Sequence, residues 1–95
     1  MDNQYKDKLI DSLLSLQTQE EMEAFLRGIL TPQEFTEMPK RLEIFKMLNE
    51  GIPQHKIAKK IGVGVATVTR GSQEIKRGQI QKTSWWQNLS SNLGG

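Results

Sequence analysis

Apolar residues recur along the first half of this chain at intervals of three and four, the spacing of one helix face, and no stretch alternates as a half-buried strand would. Leu9, Ile10, Leu13, Leu14 and Leu16 form a broad stripe that predicts a helix over about residues 4–16. Thr18 followed by Glu21 fits a reciprocal cap, in which the hydroxyl accepts from the third amide and the carboxylate reaches back. A short second helix is therefore expected, with Met22, Phe25 and Leu26 inward. Thr31, Pro32 and Glu34 repeat the start signal with proline at the first helical position. They open the longest predicted helix, which runs to about Asn49, stops at Gly51 and buries Phe35, Leu42, Ile44, Phe45, Met47 and Leu48. Pro39 lies inside it, where a lost backbone donor and a crowded preceding turn cost about 3 kcal/mol if nothing adapts. A kink or a break near residues 35–39 follows.

Beyond Gly51 the pattern shortens. Two helices are expected at about 53–61 and 65–77, then a polar linker GQIQK. Thr83 or Ser84 can cap a last helix carrying Trp85, Trp86, Leu89 and Leu93, with Gly94 and Gly95 frayed. The predicted fold class is all-α, about six helices in one domain over 1–95: a helical core in 1–50, a helix-turn-helix in 53–77 and a C-terminal helix in 83–93.

The stretch QHKIAKKIGVGVATVTRGSQ, residues 54–73, carries the helix-turn-helix spacing. Ile57, Ala58 and Ile61 supply the first helix's contact face, Ala58 being small where two helices cross closest. Gly62 sits where the chain must leave through a left-handed residue, and Val63 and Val68 point back into the contact. Gly71, one turn past Val68, is anomalous, because a large apolar residue would normally plug that position. Its missing side chain predicts a slot beside the second helix, filled by something small.

Charge strengthens this reading. The net charge is +2, yet residues 1–50 hold 6 Lys and Arg against 10 Asp and Glu, while residues 51–95 hold 7 against the single Glu74. The basic half coincides with the helix-turn-helix, as a phosphate-binding face requires. Val65, Ala66 and Thr67 open the second helix behind Gly64, where residues reach base edges in the major groove. Val65 and Ala66 suit thymine methyls, and Thr67 and Thr69 offer hydroxyls. Gln54, His55, Lys59, Lys60 and Arg70 suit the phosphate backbone, so Lys60 positions and Thr67 specifies. The partner expected is double-stranded DNA. Zero cysteines exclude disulfides and thiolate metal sites, and lone His55 has no companions at metal-ligand spacing. No nucleophile and base can be matched, so neither an enzyme nor a metal protein is expected. With no apolar run near the roughly 20 residues of a membrane span and no signal-peptide core, a cytoplasmic location is expected.

LTPQEF at residues 30–35, Arg41 in the long helix, and VGVATVTRGSQEIK at residues 63–76 resemble the tryptophan repressor family, over about half of the chain. ATVTRGS is the specific part. The resemblance implies an intertwined homodimer with residues 1–50 as dimerisation core, a near-palindromic operator and L-tryptophan as corepressor. It further implies that Arg41 and Arg70 flank the indole, that Arg70 pairs with the ligand's carboxylate and that Gly71 makes room for the ring. Carbonyls near Leu30 and Thr31 would hold the ammonium. Glu74 stands where the family commonly has Ser, Gly28 where a large apolar residue often lines the pocket, and residues 51–62 are one residue shorter than usual. Glu74 can contact the ammonium, or it can pair with Arg70 and leave a regulator that binds its operator without ligand. A third reading is a helical protein-interaction module using Trp85 or Trp86. An arginine over an aromatic ring, worth about 0.5–2 kcal/mol, and a guanidinium forked onto a carboxylate suit an aromatic amino acid independently of any family.

Overall fold

The computed structural model describes residues 3–94, with side chains described for residues 3–89. Among the described residues six α-helices run in order α1 (Gln4–Ser15), α2 (Gln19–Ile29), α3 (Pro32–Asn49), α4 (Gln54–Ile61), α5 (Val65–Lys76) and α6 (Ser84–Gly94), with a 3-10 turn at Ile80–Lys82. The described residues contain no strand, and the fold is all-α. The chain divides into two compact units, Met1–Thr36 and Glu37–Gly95.

In the first unit the helix starts form as their sequence signals dictate. The Glu21 amide donates to the Thr18 hydroxyl (3.0 Å), and the Glu21 carboxylate accepts from the amide of Gln17, one residue before the cap itself. At α3 the exchange is fully reciprocal: Glu34 N–H donates to Thr31 Oγ1 (3.1 Å) and Thr31 N–H to Glu34 Oε1 (2.8 Å). Neither α1 nor α2 buries a side chain, however. Tyr5, Leu9, Ile10, Leu14 and Ile29 are all exposed, Leu14 at 78%. Leu13 and Leu16 are half-buried, so the stripe is covered only in part among the described residues.

In the second unit Ile44, Met47, Ile57, Ala58 and Val68 form the core, with Leu48, Ile52, Ile61 and Val63 packed against it. Ile57 and Val68 have no exposed surface. α3 ends in a left-handed Gly51 (φ 79°), with Ile52 N–H donating to the Met47 carbonyl and Gly51 N–H to that of Leu48. The same conformation at Gly62 (φ 80°) turns α4 toward α5.

Three expectations need correction. Leu42 is 48% exposed, because it projects roughly opposite Ile44 and Met47 on α3 and shares that open side with Met38. No break occurs at Pro39: α3 is continuous through it, since one missing donor leaves the other helical bonds intact. The stretch GQIQK is no free linker either. Gln81 Nε2 donates to the Ile75 carbonyl (2.6 Å), tying the 3-10 turn to the end of α5. Thr83 is the cap of α6, accepting from Trp86 N–H (3.2 Å). Trp85 and Trp86 are half-buried. The side chain of Leu93 and the fraying expected at Gly95 lie outside the described residues, and Gly94 closes α6.

Candidate functional site

The reading head is built from α4 and α5. Because Val68 points into the core, the residues that open α5 are turned outward: Val65 is half exposed, and Ala66 and Thr67 are exposed. Gly64 caps α5 in an extended conformation and offers no side chain to its first amides. The Thr67 amide donates to the Gly64 carbonyl (3.0 Å), and the amides of Val65 and Ala66, with the positive end of the helix dipole, face the N-terminal end of α5. His55, Lys59 and Lys60 are exposed on α4. Thr69 is placed differently from the sequence reading. Its hydroxyl, partly buried, donates to the side-chain oxygen of Gln54 (2.8 Å) and ties the start of α4 to the second turn of α5.

A cavity of about 730 Å³ lies in the second unit between two helical stripes. On α5 the lining residues are Thr67, Arg70, Gly71 and Glu74, at i, i+3, i+4 and i+7; on α3 they are Glu37, Lys40, Arg41, Ile44 and Phe45 at the same period. Val63 closes one end, and Gln79, Ile80 and Thr83, from the segment between α5 and α6, add a further wall. Four of the six residues expected to hold a ligand, Arg41, Arg70, Gly71 and Glu74, therefore line one cavity. The other two are Leu30 and Thr31. Those two belong to the first unit, where Leu30 borders a small recess with Arg27, Pro32, Phe35 and Thr36, and the Thr31 carbonyl accepts the Phe35 amide within α3. The Arg27 guanidinium lies 4.4 Å from the Phe35 ring centre in the same unit. Gly28 has no neighbour within 4 Å of where a side chain would start.

Gly71 is less empty than the sequence suggested. It is buried, and a Cβ placed on it would lie 3.1 Å from Ile44 Cγ2 and 3.5 Å from Phe45 Cε1. The absent side chain is used first to bring α5 against α3, and the cavity opens beside that contact. Gly71→Val is expected to overpack this crossing, lowering stability by about 1–3 kcal/mol in thermal unfolding and narrowing the cavity floor. An unchanged melting temperature would show that Ile44 has room to move.

Glu74 does not pair with Arg70. Its carboxylate accepts from Arg77 Nη1 at 3.1 Å. No ion pair of Arg70 or Arg41 occurs among the described residues. The sequence reading missed Lys40, Gln79, Ile80 and Thr83 as cavity wall. Lys40 was within reach, being one turn before Ile44 on the stripe that contains Arg41. Ile80 gave a weaker signal, a single apolar residue in a polar stretch.

Residues 4–90 match the family model described as Trp repressor protein. The chain belongs to the Trp repressor family. It is 32% identical over 83 residues to a Trp operon repressor homolog of Photobacterium profundum, covering 86% of this chain and 81% of that protein. It is 34% identical over 76 residues to a Trp operon repressor homolog of Vibrio campbellii, covering 77% and 76%. Over 64 residues it is 39% identical to the uncharacterized protein YerC of Bacillus subtilis, covering 67% and 62%. The Trp repressor family is one of DNA-binding regulators and not of enzymes, so this chain is a DNA-binding repressor by family. No helix among the described residues is long and apolar enough to cross a membrane.

Proposed function

We propose that this protein is a cytoplasmic, dimeric repressor that reads a near-palindromic operator and takes L-tryptophan as corepressor in the cavity between α3 and α5. The observation that carries the ligand is the convergence of Arg41 and Arg70, both without an ion pair among the described residues, over an apolar floor of Ile44, Phe45 and Gly71. An aromatic amino acid matches that combination, with its ring against the floor or a guanidinium and its carboxylate on Arg70. The ligand-independent reading relied on Glu74 neutralising Arg70, and Glu74 is engaged by Arg77 instead. A second copy of the chain is the natural cover for Leu9, Ile10, Leu14 and Leu42, since a core as small as this one leaves a 95-residue chain marginal alone.

Anisotropy titrations of operator and random duplexes, with and without L-tryptophan and across a salt series, test the whole reading. Operator affinity should rise at least about tenfold with tryptophan, equivalent to about 1.4 kcal/mol of coupling. It should fall with salt at a log-log slope of about −0.9 per phosphate contacted. Lys60→Ala should weaken all duplexes alike, and Thr67→Ala should erode the preference for operator. Affinity indifferent to tryptophan removes the corepressor, and equal affinity for both duplexes removes the specific repressor.

A further inference from the structure

Both helical walls of the cavity carry charge: Glu37, Lys40 and Arg41 come from α3, and Arg70 and Glu74 from α5. Glu74 is answered from outside the lining by Arg77 at 3.1 Å, and Glu37 has a contact of its own. Glu37 stands three residues before Lys40 and four before Arg41, yet none of the ion pairs among the described residues engages Lys40, Arg41 or Arg70. Counting Arg77 with the carboxylate it binds, four cations surround the cavity against two carboxylates, an excess of two positive charges. Their order along α3 matters too. Lys40 and Arg41 precede Ile44 and Phe45 by one turn, about 6 Å along the axis, and Glu37 lies a further turn away. A ring seated on the floor of Ile44, Phe45 and Gly71 therefore meets the cations before it meets Glu37.

L-Tryptophan is a zwitterion without net charge, so it engages one guanidinium with its carboxylate and leaves the excess as it was. A ligand of two negative charges cancels it. Walls of one sign focus their field into a cleft and favour the ligand of opposite charge, and Lys40 is the cation that the corepressor reading leaves unused. We propose that the cavity also takes an aromatic ligand bearing two negative charges, such as a phosphate monoester, with its anionic head on Lys40 and Arg70 and its ring on the floor. Lys40 then sets the charge preference of the site. Room is no obstacle, since about 730 Å³ lies within the range of pockets that hold drug-sized ligands. The inference goes beyond the corepressor reading, because such a ligand competes with tryptophan for the same floor. One cavity then weighs two classes of ligand against each other.

The test is calorimetric titration of the full chain, without DNA, with indoxyl phosphate and indoxyl sulfate, which share a ring and a tetrahedral head and differ by one charge. At about pH 8 the phosphate monoester, with a second pKa of about 6, carries both of its charges. Wild-type protein should bind the phosphate about tenfold more tightly than the sulfate, the low end for a hydrogen bond between charged groups because Lys40 is exposed. Lys40→Gln should bring the two ligands level, and Lys40→Arg, which keeps the charge, should retain the preference. Lys56→Gln removes an exposed lysine of α4 outside the lining and should leave the preference as it was. Circular dichroism checks that each variant is folded. Indoxyl phosphate should also displace L-tryptophan. Equal affinity for the two ligands in the wild type, a preference that survives Lys40→Gln, or a failure to displace bound tryptophan overturns the inference while the corepressor reading stands. Tryptophan that gives no heat while indoxyl phosphate binds through Lys40 overturns the corepressor reading alone. Heat from neither tryptophan nor indoxyl phosphate overturns both.

Discussion

Replacing Arg70 by alanine is expected to weaken L-tryptophan binding about 100-fold, measured by calorimetry in the absence of DNA. Hydrogen bonds to a charged partner are worth about 1.5–3 kcal/mol, and a guanidinium lying on an aromatic face adds about 0.5–2 kcal/mol. A combined loss of about 3 kcal/mol gives that factor. Arg70 has no ion pair within the described chain, so its removal leaves no orphaned carboxylate and the fold should persist. The absence of DNA matters, because the same exposed side chain is also a candidate for a phosphate contact. Arg77→Ala is the informative control: it removes an equal charge one turn outside the cavity lining and should leave the affinity within a few-fold. A loss of less than about threefold in Arg70→Ala would move the ligand's carboxylate to Lys40 or Arg41, the other cations on the wall.

The largest effect on stability is expected at Ile57. The side chain is fully buried between α3, α4 and α5, where Ile44, Met47, Ala58 and Val68 surround it. Truncation to alanine should cost about 2–5 kcal/mol, because a packed interior closes only partly over the cavity left behind. For a chain of this size that corresponds to a fall of about 10–25 °C in melting temperature. Operator binding should fail at temperatures where the wild type still binds, since the packing beneath Val65, Ala66 and Thr67 is what turns them outward. A shift below about 3 °C would mean that the reading head does not depend on this core. Lys59→Ala, on the exposed side of the same helix, should change stability by less than about 0.5 kcal/mol.

Much of this architecture was legible in the residues because its signals are local. Thr31, Pro32 and Glu34 start α3 whatever surrounds them, Gly51 and Gly62 stop helices by adopting positive φ, and the spacing of Ile57, Ala58, Val63 and Val68 is that of one contact. Leu42 was misread because periodicity says which residues share a face but not which face meets the rest of the chain. α3 has apolar residues on two sides, and one sequence gives no means of ranking them. Gly71 was found as an anomaly, yet whether the missing side chain makes a void or a close approach depends on where Ile44 lies. Ion-pair choice was the least legible. Glu74 has cations at i−4 and i+3, and backbone spacing permits either, so only the folded side chains decide for Arg77.

The bond between Thr69 and Gln54 has a mechanical meaning. It joins α4 to α5 at a second point, away from the buried contact of Ile57, Ala58 and Val68, so the two helices cannot swing apart about their turn like the blades of a pair of scissors. Anything wedged between α3 and α5 beside Gly71 must tilt both together. If the proposed corepressor seats there, the two helices act as one stiff lever, and a small change of tilt near Ile44 becomes a change in how deeply Val65 and Ala66 enter a groove.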